Sequence, residues 1–307
     1  MPEGVLADAL DDHSPRVVSR YTEGAYRRGV GDSFHSLEKA GWSDEGVVET
    51  YGQLLASLTT QAIPALLQAV AAGGNVRLLD VASGLGEAAA AAAARGAKVS
   101  AVDFSAAMVE RARHAHVGID FRQGDAEALP FPDQSFDAVV CNFGMLHFPN
   151  PERVLGEMWR VLIRGGRLAF TVWAAPERTV VFRVAQSAAL AHGDPAAVAS
   201  LPQGPAFFRF SDYDECVRTL SNAGYAECRA FEVPQVWRLA SVDELLRALA
   251  QGTVRNRALL RAQSDAARAR IERAVREGVA AWLGADGTLE IPMPAVLACG
   301  TASPRQR

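Results

Sequence analysis

The residues with the clearest chemical potential are three carboxylates, each at or near the end of a β-rich run, and one turn built from small residues. In Leu78-Leu79-Asp80-Val81-Ala82-Ser83-Gly84-Leu85-Gly86-Glu87 a strand-like run enters a glycine turn and then an alanine-rich helix. Glycine lets the chain bend sharply and lets a ligand approach the main chain, while free amides at the helix start favour a polar, partly anionic group. Gly84-Leu85-Gly86-Glu87-Ala88-Ala89 also satisfies a loose dinucleotide fingerprint with Ala as its third small residue, so a nicotinamide dinucleotide is one reading of the turn. Asp103, in Val102-Asp103-Phe104-Ser105, ends the second strand-like run, where a carboxylate accepts both hydroxyls of a ribose. Asp125, in Gly124-Asp125-Ala126, ends the third, where a carboxylate accepts from an adenine amino group and the Ala126 amide meets the ring edge. A dinucleotide does not call for that third acid. Asp80 would sit beside an amino-acid end of the ligand, its charge complementing an ammonium group directly or through water.

Other residues carry weaker signals. His147, in Gly144-Met145-Leu146-His147-Phe148, follows the fourth strand-like run and is a candidate general base, since a neutral imidazole takes a proton near pH 7. Its alternative role is to orient a loop. Trp173, Phe207, Phe208 and Phe210 follow the fifth run and would either line an acceptor pocket or pack an inserted helix. Asp133 and Asp137 resemble an acid pair but precede a strand, on the edge away from the ligand, which suits turn and strand-entry roles. No His, Cys and carboxylate grouping has metal-ligand spacing, so no metal is expected. The basic run at Arg268-Ala269-Arg270-Ile271-Glu272-Arg273 reads as a solvated helix face.

The elements that must position these groups alternate between residues 76 and 173. Strand-like runs at Val76 to Val81, Lys98 to Val102, Ile119 to Gln123, Phe136 to Asn142 and Arg167 to Trp173 are separated by helices or turns, the pattern of a parallel sheet covered on both faces. Gly96 follows the alanine helix, Ser105 caps the next, Asn150-Pro151 opens one running to Ile163, and Gly165-Gly166 turns the chain into the fifth strand. Upstream, an apolar-periodic helix from about Glu45 to Ala72 is expected to kink at Pro64. Downstream, residues 174 to 210 read as helix and loop inserted above the site. A helix from Asp212 to Ala223, a strand from Glu227 to Leu239, two helices within Ser241 to Leu283 and a strand near Leu289 to Cys299 complete the chain.

Composition limits the partners. The 307 residues are 49% hydrophobic and 21% charged, globular rather than disordered, and long enough for an elaborated α/β core. The net charge of −4 offers no broad basic face for a phosphate backbone, so nucleic acid is not expected as a substrate and a small molecule is. Cys141, Cys216, Cys228 and Cys299 form no Cys-x-x-Cys pair and read as free thiols in a reducing cytoplasm. The first fifteen residues lack the basic start and apolar centre of a signal peptide, and the apolar run Ala88 to Ala94 is far too short to span a bilayer, so no membrane association is expected. The oligomeric state has no reading.

Taken in order, Leu79 to Gly86, Val102-Asp103-Phe104-Ser105-Ala106-Ala107-Met108, Gly124 to Asp137 and Val154 to Leu168 resemble the ubiquinone-biosynthesis-type class I methyltransferases over about a hundred residues. The resemblance implies an α/β fold with a Rossmann-like, seven-stranded, mostly parallel sheet, helices on both faces, a closing antiparallel strand pair and a helical cap. It implies S-adenosyl-L-methionine as cofactor, contacted by Gly84, Gly86, Asp103, Asp125 and Ala126, with Asp80, Ala82, Phe104 and Met108 beside them and Asn142 near the methionine portion. The family usually has Gly where this chain has Ala82, which suits a close approach if φ is negative. In similar enzymes an N-terminal aromatic segment closes over the cofactor. Tyr21 and Tyr26 are candidates for that lid and, through their phenol groups, for orienting an acceptor, with His35, Trp42 and Tyr51 as further candidates for the cap.

The expected organisation is therefore a cap or lid over residues 1–75, a cofactor-binding core over 76–173, an insertion over an acceptor pocket at 174–210, and the rest of the sheet with inserted helices at 211–307. The expected reaction is methyl transfer to a small, fairly apolar metabolite by direct in-line displacement. The segment Asn142-Phe143-Gly144-Met145 lacks the Asn-Pro-Pro-aromatic arrangement tied to planar amides and exocyclic amines. The alternatives are a protein that holds S-adenosylmethionine as an anchor, as a cyclase or binding module, and an NAD-dependent oxidoreductase, which Asp125 and the closing strand pair disfavour.

Overall fold

The computed structural model describes residues 30–303. Nine strands are present there: β1 Arg77–Val81, β2 Lys98–Asp103, β3 Asp120–Gln123, β4 Phe136–Asn142, β5 Leu162–Trp173, β6 Tyr225–Val233, β7 Val236–Leu239, β8 Leu289–Pro292 and β9 Ala295–Ala302. Seven form the main sheet in the order β3-β2-β1-β4-β5-β9-β6. The β1, β2, β3, β4 and β5 ladders are parallel, whereas β9 pairs antiparallel with both β5 and β6. This is the expected Rossmann-like sheet, and the antiparallel β9 set between β5 and β6 separates it from the all-parallel dinucleotide order.

Alternation along the strands builds two cores. In β4, Ala138 and Val140 pack on one face and Val139 and Cys141 on the other; in β9, Ala295 and Leu297 oppose Val296 and Ala298. One face is covered by α7 (Pro151–Val161) and α10 (Tyr213–Asn222), whose Val154, Leu155, Cys216 and Leu220 join Val139 and Phe170. The other face shares its core with the N-terminal helices and with the region between β6 and β9, through Leu58, Leu67, Trp237, Leu245 and Ile271.

The N-terminal part is α1 (Val30–Trp42), α2 (Glu45–Leu54), α3 (Ala56–Thr59), a 3-10 turn at Thr60–Ala62, and α4 (Ile63–Ala69). The single helix expected over Glu45 to Ala72 is therefore broken ahead of Pro64. Proline has no amide to donate, and it sits in the first turn of α4, where none is needed, so it starts a helix rather than kinking one. The core helices are α5 (Glu87–Ala94) and α6 (Ala106–Ala115), the latter capped as expected by Ser105, whose hydroxyl accepts from the Met108 amide at 3.2 Å.

Three further expectations are corrected. β5 begins at Leu162, so Gly165-Gly166 lies in an irregular start of the strand, where the β4–β5 register shifts between Phe136 and Ala138. The strands expected over Glu227 to Leu239 and Leu289 to Cys299 each divide, at Pro234 and near Pro294, because proline cannot donate to a ladder. Their inner halves, β7 and β8, pair as a separate two-stranded sheet. Between these lie three helices rather than two, α11 (Val242–Gln251), α12 (Val254–Arg261) and α13 (Asp265–Gly278). The insertion after β5 contains α8 (Val180–His192) and α9 (Pro195–Ala199). All four cysteines are free, and no helix among the described residues is long and apolar enough to cross a membrane.

Candidate functional site

The turn after β1 is built on positive φ. Gly84 and Gly86 have φ of +53° and +89°, and Ala82 has φ of +55°. The negative φ that would suit alanine is thus not adopted, and Ala82 carries left-handed strain of about 1–2 kcal/mol. Gly144 makes room for it, since a Cβ on Gly144 would fall 2.8 Å from the Ala82 Cβ. The two glycines differ. A Cβ on Gly84 would meet nothing within 4 Å, whereas one on Gly86 would strike Phe121 and His116 at 2.7 and 2.9 Å. Gly84 leaves space for a ligand, and Gly86 lets the turn pack on β3.

Ala82 and Gly84 line a cavity of about 930 Å³, counted to its open mouth, together with Asp103, Phe104, Met108, Asn142 and His147. Trp42, Tyr51, Trp173, Phe182 and Phe207 form much of its apolar wall. The Asp103 carboxylate accepts from the Gly84 and Ser105 amides, each at 2.9 Å. Burial still holds its carboxyl above the usual range, with these amides and nearby His147 opposing the shift.

A smaller cavity of about 330 Å³ shares Tyr51, Thr59, Ala82, Gly84 and Asn142 with the first and adds Asp80 and Ser83. Both oxygens of Asp80 and the Ser83 hydroxyl are buried without a hydrogen-bond partner. Burial, with Glu87 and Asp103 close by, pushes the Asp80 carboxyl up to about 8; the Ala89 amide, near but outside bonding geometry, offsets part of this. Unpartnered buried polar atoms are uncommon, and a carboxyl of this kind is complementary to a cation. An unpartnered buried carboxyl and hydroxyl beside a small-residue turn, with a second carboxylate close by, are a donor and acceptor set suited to a ligand that carries both a cation and hydroxyls.

Not every candidate converges. Asp125 is exposed, accepts from the Glu127 amide at 2.8 Å, and lines neither cavity; Ala126 is buried in the core beneath it. Gly86 also lines neither. Asn142 is committed to the protein, its Nδ2 donating to the Thr59 carbonyl at 3.1 Å and its Oδ1 accepting from Thr171 at 2.7 Å. Phe210 packs on Phe170 in the opposite core, so the aromatic cluster divides between the two faces. Asp137 is held by Arg77 at 2.8 Å and Asp133 by Arg160 at 2.8 Å, the strand-entry and turn roles expected of them. Tyr21 and Tyr26 lie outside the described residues, and His35 does not line the cavity. Among the described residues no group of side chains is placed to hold a metal.

Two residues that sequence reasoning missed complete the site. Glu38 of α1, only 2% exposed, accepts from Trp42 Nε1 at 3.0 Å, His147 Nδ1 at 2.9 Å and Arg255 Nε at 2.9 Å. Burial opposes its charge, but His147 and Arg255 hold the carboxyl at about 2. The available signal was an acid at helical spacing between Phe34 and Trp42, on the buried face of α1. Arg255 lies in an arginine-rich segment with nothing local to single it out. Tyr51, a weak candidate, lines both cavities, its hydroxyl 3.1 Å from Thr59 Oγ1.

Comparison with known proteins points the same way. Residues 79–170 match a family described as methyltransferase domain. A demethylmenaquinone methyltransferase of Clavibacter sepedonicus is 42% identical over 122 residues, 39% of this chain and 50% of that protein. The ubiquinone/menaquinone biosynthesis C-methyltransferase UbiE of Methylobacterium nodulans is 48% identical over 99 residues, 30% of this chain and 39% of that one. The chain thus spans about half or less of the length of these relatives. Among solved structures, a Bacillus halodurans C-125 protein covers 79% of this chain and 99% of its own at 23% identity and TM-score 0.50. The YcgJ protein of Bacillus subtilis covers 79% and 98% at 20% identity and TM-score 0.50. These two share the fold.

Proposed function

We propose, from the premise that residues 79–170 belong to the methyltransferase domain family of the class I, ubiquinone/menaquinone type, that the chain transfers a methyl group from S-adenosylmethionine to a small, fairly apolar metabolite. The observation that carries this reading is the Asp80 carboxyl, buried without a partner in a side cavity that shares Ala82 and Gly84 with the larger one. A cation of the right reach would restore its charge, and a nicotinamide dinucleotide offers no ammonium there. Bound at this site, S-adenosylmethionine supplies a methyl group already activated by its sulfonium. Asp80 holds the amino-acid end, Asp103 the ribose, and Phe104 and Met108 flank the nucleoside. Asp125 and the Ala126 amide would meet an adenine edge that extends beyond the two cavities, which neither residue lines. Asn142 acts through Thr59, fixing the cap to the sheet.

The acceptor occupies the aromatic part of the larger cavity, between Trp173, Phe182 and Phe207, which suits a quinone-like or polyketide-like body better than a charged polymer. The walls align its nucleophile with the bond that breaks, so transfer is an in-line displacement in which proximity supplies much of the rate. The chain works as a cap over 1–75, a cofactor core over 76–173, an insertion over the acceptor at 174–210, and a closing part at 211–307, in the cytoplasm. The test is calorimetric titration with S-adenosylmethionine and with NAD, followed by detection of S-adenosylhomocysteine after incubation with apolar acceptors. Binding of the first alone and release of S-adenosylhomocysteine are expected. Tight binding of NAD alone would refute the reading, and binding without turnover would make the protein an anchor.

A further inference from the structure

Three segments far apart in sequence meet at one buried carboxylate. Glu38 comes from α1, His147 from the 3-10 turn after β4, and Arg255 from the first turn of α12. An ionised carboxylate only accepts, so the His147 nitrogen 2.9 Å from Glu38 Oε2, Nδ1, must carry a proton. In the neutral ring the lone pair then lies on Nε2, which has no hydrogen-bond partner among the described residues. His147 also lines the larger cavity, and its ring is fixed from the side by Trp42, edge-on at 5.3 Å.

The other titratable groups lining that cavity are already committed. Asp103 takes two backbone amides. The Tyr51 hydroxyl is tied to Thr59, and burial keeps its proton on well above the ordinary phenol range. Arg255 donates Nε to Glu38 and a terminal nitrogen to the Leu146 carbonyl at 2.5 Å, with its guanidinium over Phe34 at 4.6 Å and Phe207 at 5.2 Å. It is a brace on both Glu38 and the turn that carries His147. Among the described residues, that leaves Nε2 of His147 as the uncommitted basic nitrogen on a side chain that lines the aromatic-walled space.

We propose that His147 Nε2 takes the proton from a hydroxyl on a planar, apolar acceptor, a phenol or enol, and that Glu38 and Arg255 are positioning residues that fix the ring for this step. The proposal rests on the methyl-transfer reading and adds to it the acceptor class. The acceptor O–H bond breaks and its proton goes to Nε2. An oxygen electron pair forms the new bond to the methyl carbon, and the carbon–sulfur bond breaks with its pair left on sulfur. The products are a methyl ether, a neutral sulfide and an imidazolium paired with the Glu38 carboxylate. A neutral amine brings a free electron pair and needs no such base before attack, so this arrangement favours oxygen.

The test compares 1-naphthol with 1-naphthylamine, which share one body and differ in the nucleophile, using the full chain and S-adenosylmethionine. Wild type is expected to methylate the naphthol at least tenfold faster. His147→Gln should lower kcat at least a hundredfold with S-adenosylmethionine affinity, measured by calorimetry, within threefold of wild type. The charged groups facing His147 are Glu38 from α1, Arg255 from α12 and Asp103 at the end of β2. Removing the Glu38 charge takes away the anion that holds Nδ1–H, so Glu38→Gln should lower kcat about tenfold with little change in KM. Glu38→Asp should recover part of that loss. Imidazole ¹⁵N spectra should find the Nδ1–H form of His147 in wild type and a mixture in Glu38→Gln, a readout independent of turnover.

The proposal is overturned if His147→Gln keeps kcat within threefold, if naphthylamine is methylated as fast as naphthol, if neither compound is turned over by protein that binds S-adenosylmethionine, or if His147 is the Nε2–H form in wild type. Failure of wild type to bind S-adenosylmethionine at all would instead overturn the reading beneath it.

Discussion

Asp80 and Glu38 are both almost fully buried, 1% and 2% exposed, yet burial has opposite outcomes for them. Asp80 has no hydrogen-bond partner and is pushed up to about 8, whereas Glu38 takes three donors and is held at about 2. Desolvation disfavours both anions; the difference is whether the protein supplies the counter-charge. Around Glu38 it does, using α1, the turn after β4 and α12, so that region is finished by folding. Around Asp80 it does not, and that region is left complementary to a cation from outside.

Glu38→Ala should break the finished side most severely. It strands Arg255 and His147 without their anion and should destabilise the fold by about 3–5 kcal/mol, read by urea unfolding at pH 7. The sign with pH is fixed by the downward shift. Stability from Glu38 is fully present above the unfolded carboxylate value near 4 and is lost as pH falls through about 2. A loss below 1 kcal/mol would erase the contrast.

On the open side, Asp103→Ala should weaken S-adenosylmethionine binding by about 1–3 kcal/mol through lost charge-assisted hydrogen bonds, measured by calorimetry. Unchanged affinity would remove Asp103 from the site. Asp80 gives the pH test. Its raised value means the unliganded carboxyl is protonated at neutral pH and must ionise to meet an ammonium group, so affinity should rise with pH and level off above about 8, with proton release seen in buffers of different ionisation enthalpy. The same shift makes the ligand-free protein lose stability as pH rises through about 8. Asp80→Asn should flatten both slopes.

The smallest effect is expected at Ala82→Gly. Relief of the positive φ, less the chain entropy of glycine and the lost contact with Gly144, should stabilise by about 0.5–1 kcal/mol in thermal unfolding. Destabilisation would mean that the methyl group packs more than it strains.

Much of the sheet was legible because its signals are local. β4 has the expected bounds, and β1, β2 and β3 differ by one residue at an end, because apolar alternation and the turns between strands lie within each segment. Ser105 caps α6 for the same reason. Division of the late strands at Pro234 and near Pro294 was missed although the prolines were visible, since whether a chain bends into a second sheet depends on what it packs against. In the site, Asp80, Gly84 and Asp103 were legible as a motif, but that Asp125 stays at the exposed rim was not.

The sequence by itself determined the order of strands and helices, the small-residue turn and the carboxylates at the strand ends, because backbone preference and period act over a few residues. Only the tertiary structure decided that Asp80 would be left without a partner and that Glu38 would find His147 and Arg255, 109 and 217 residues away. Partners so distant share no spacing that a sequence pattern could record. They are chosen when α1 and α12 pack beside the turn after β4, and the charge state of each buried acid follows from that choice.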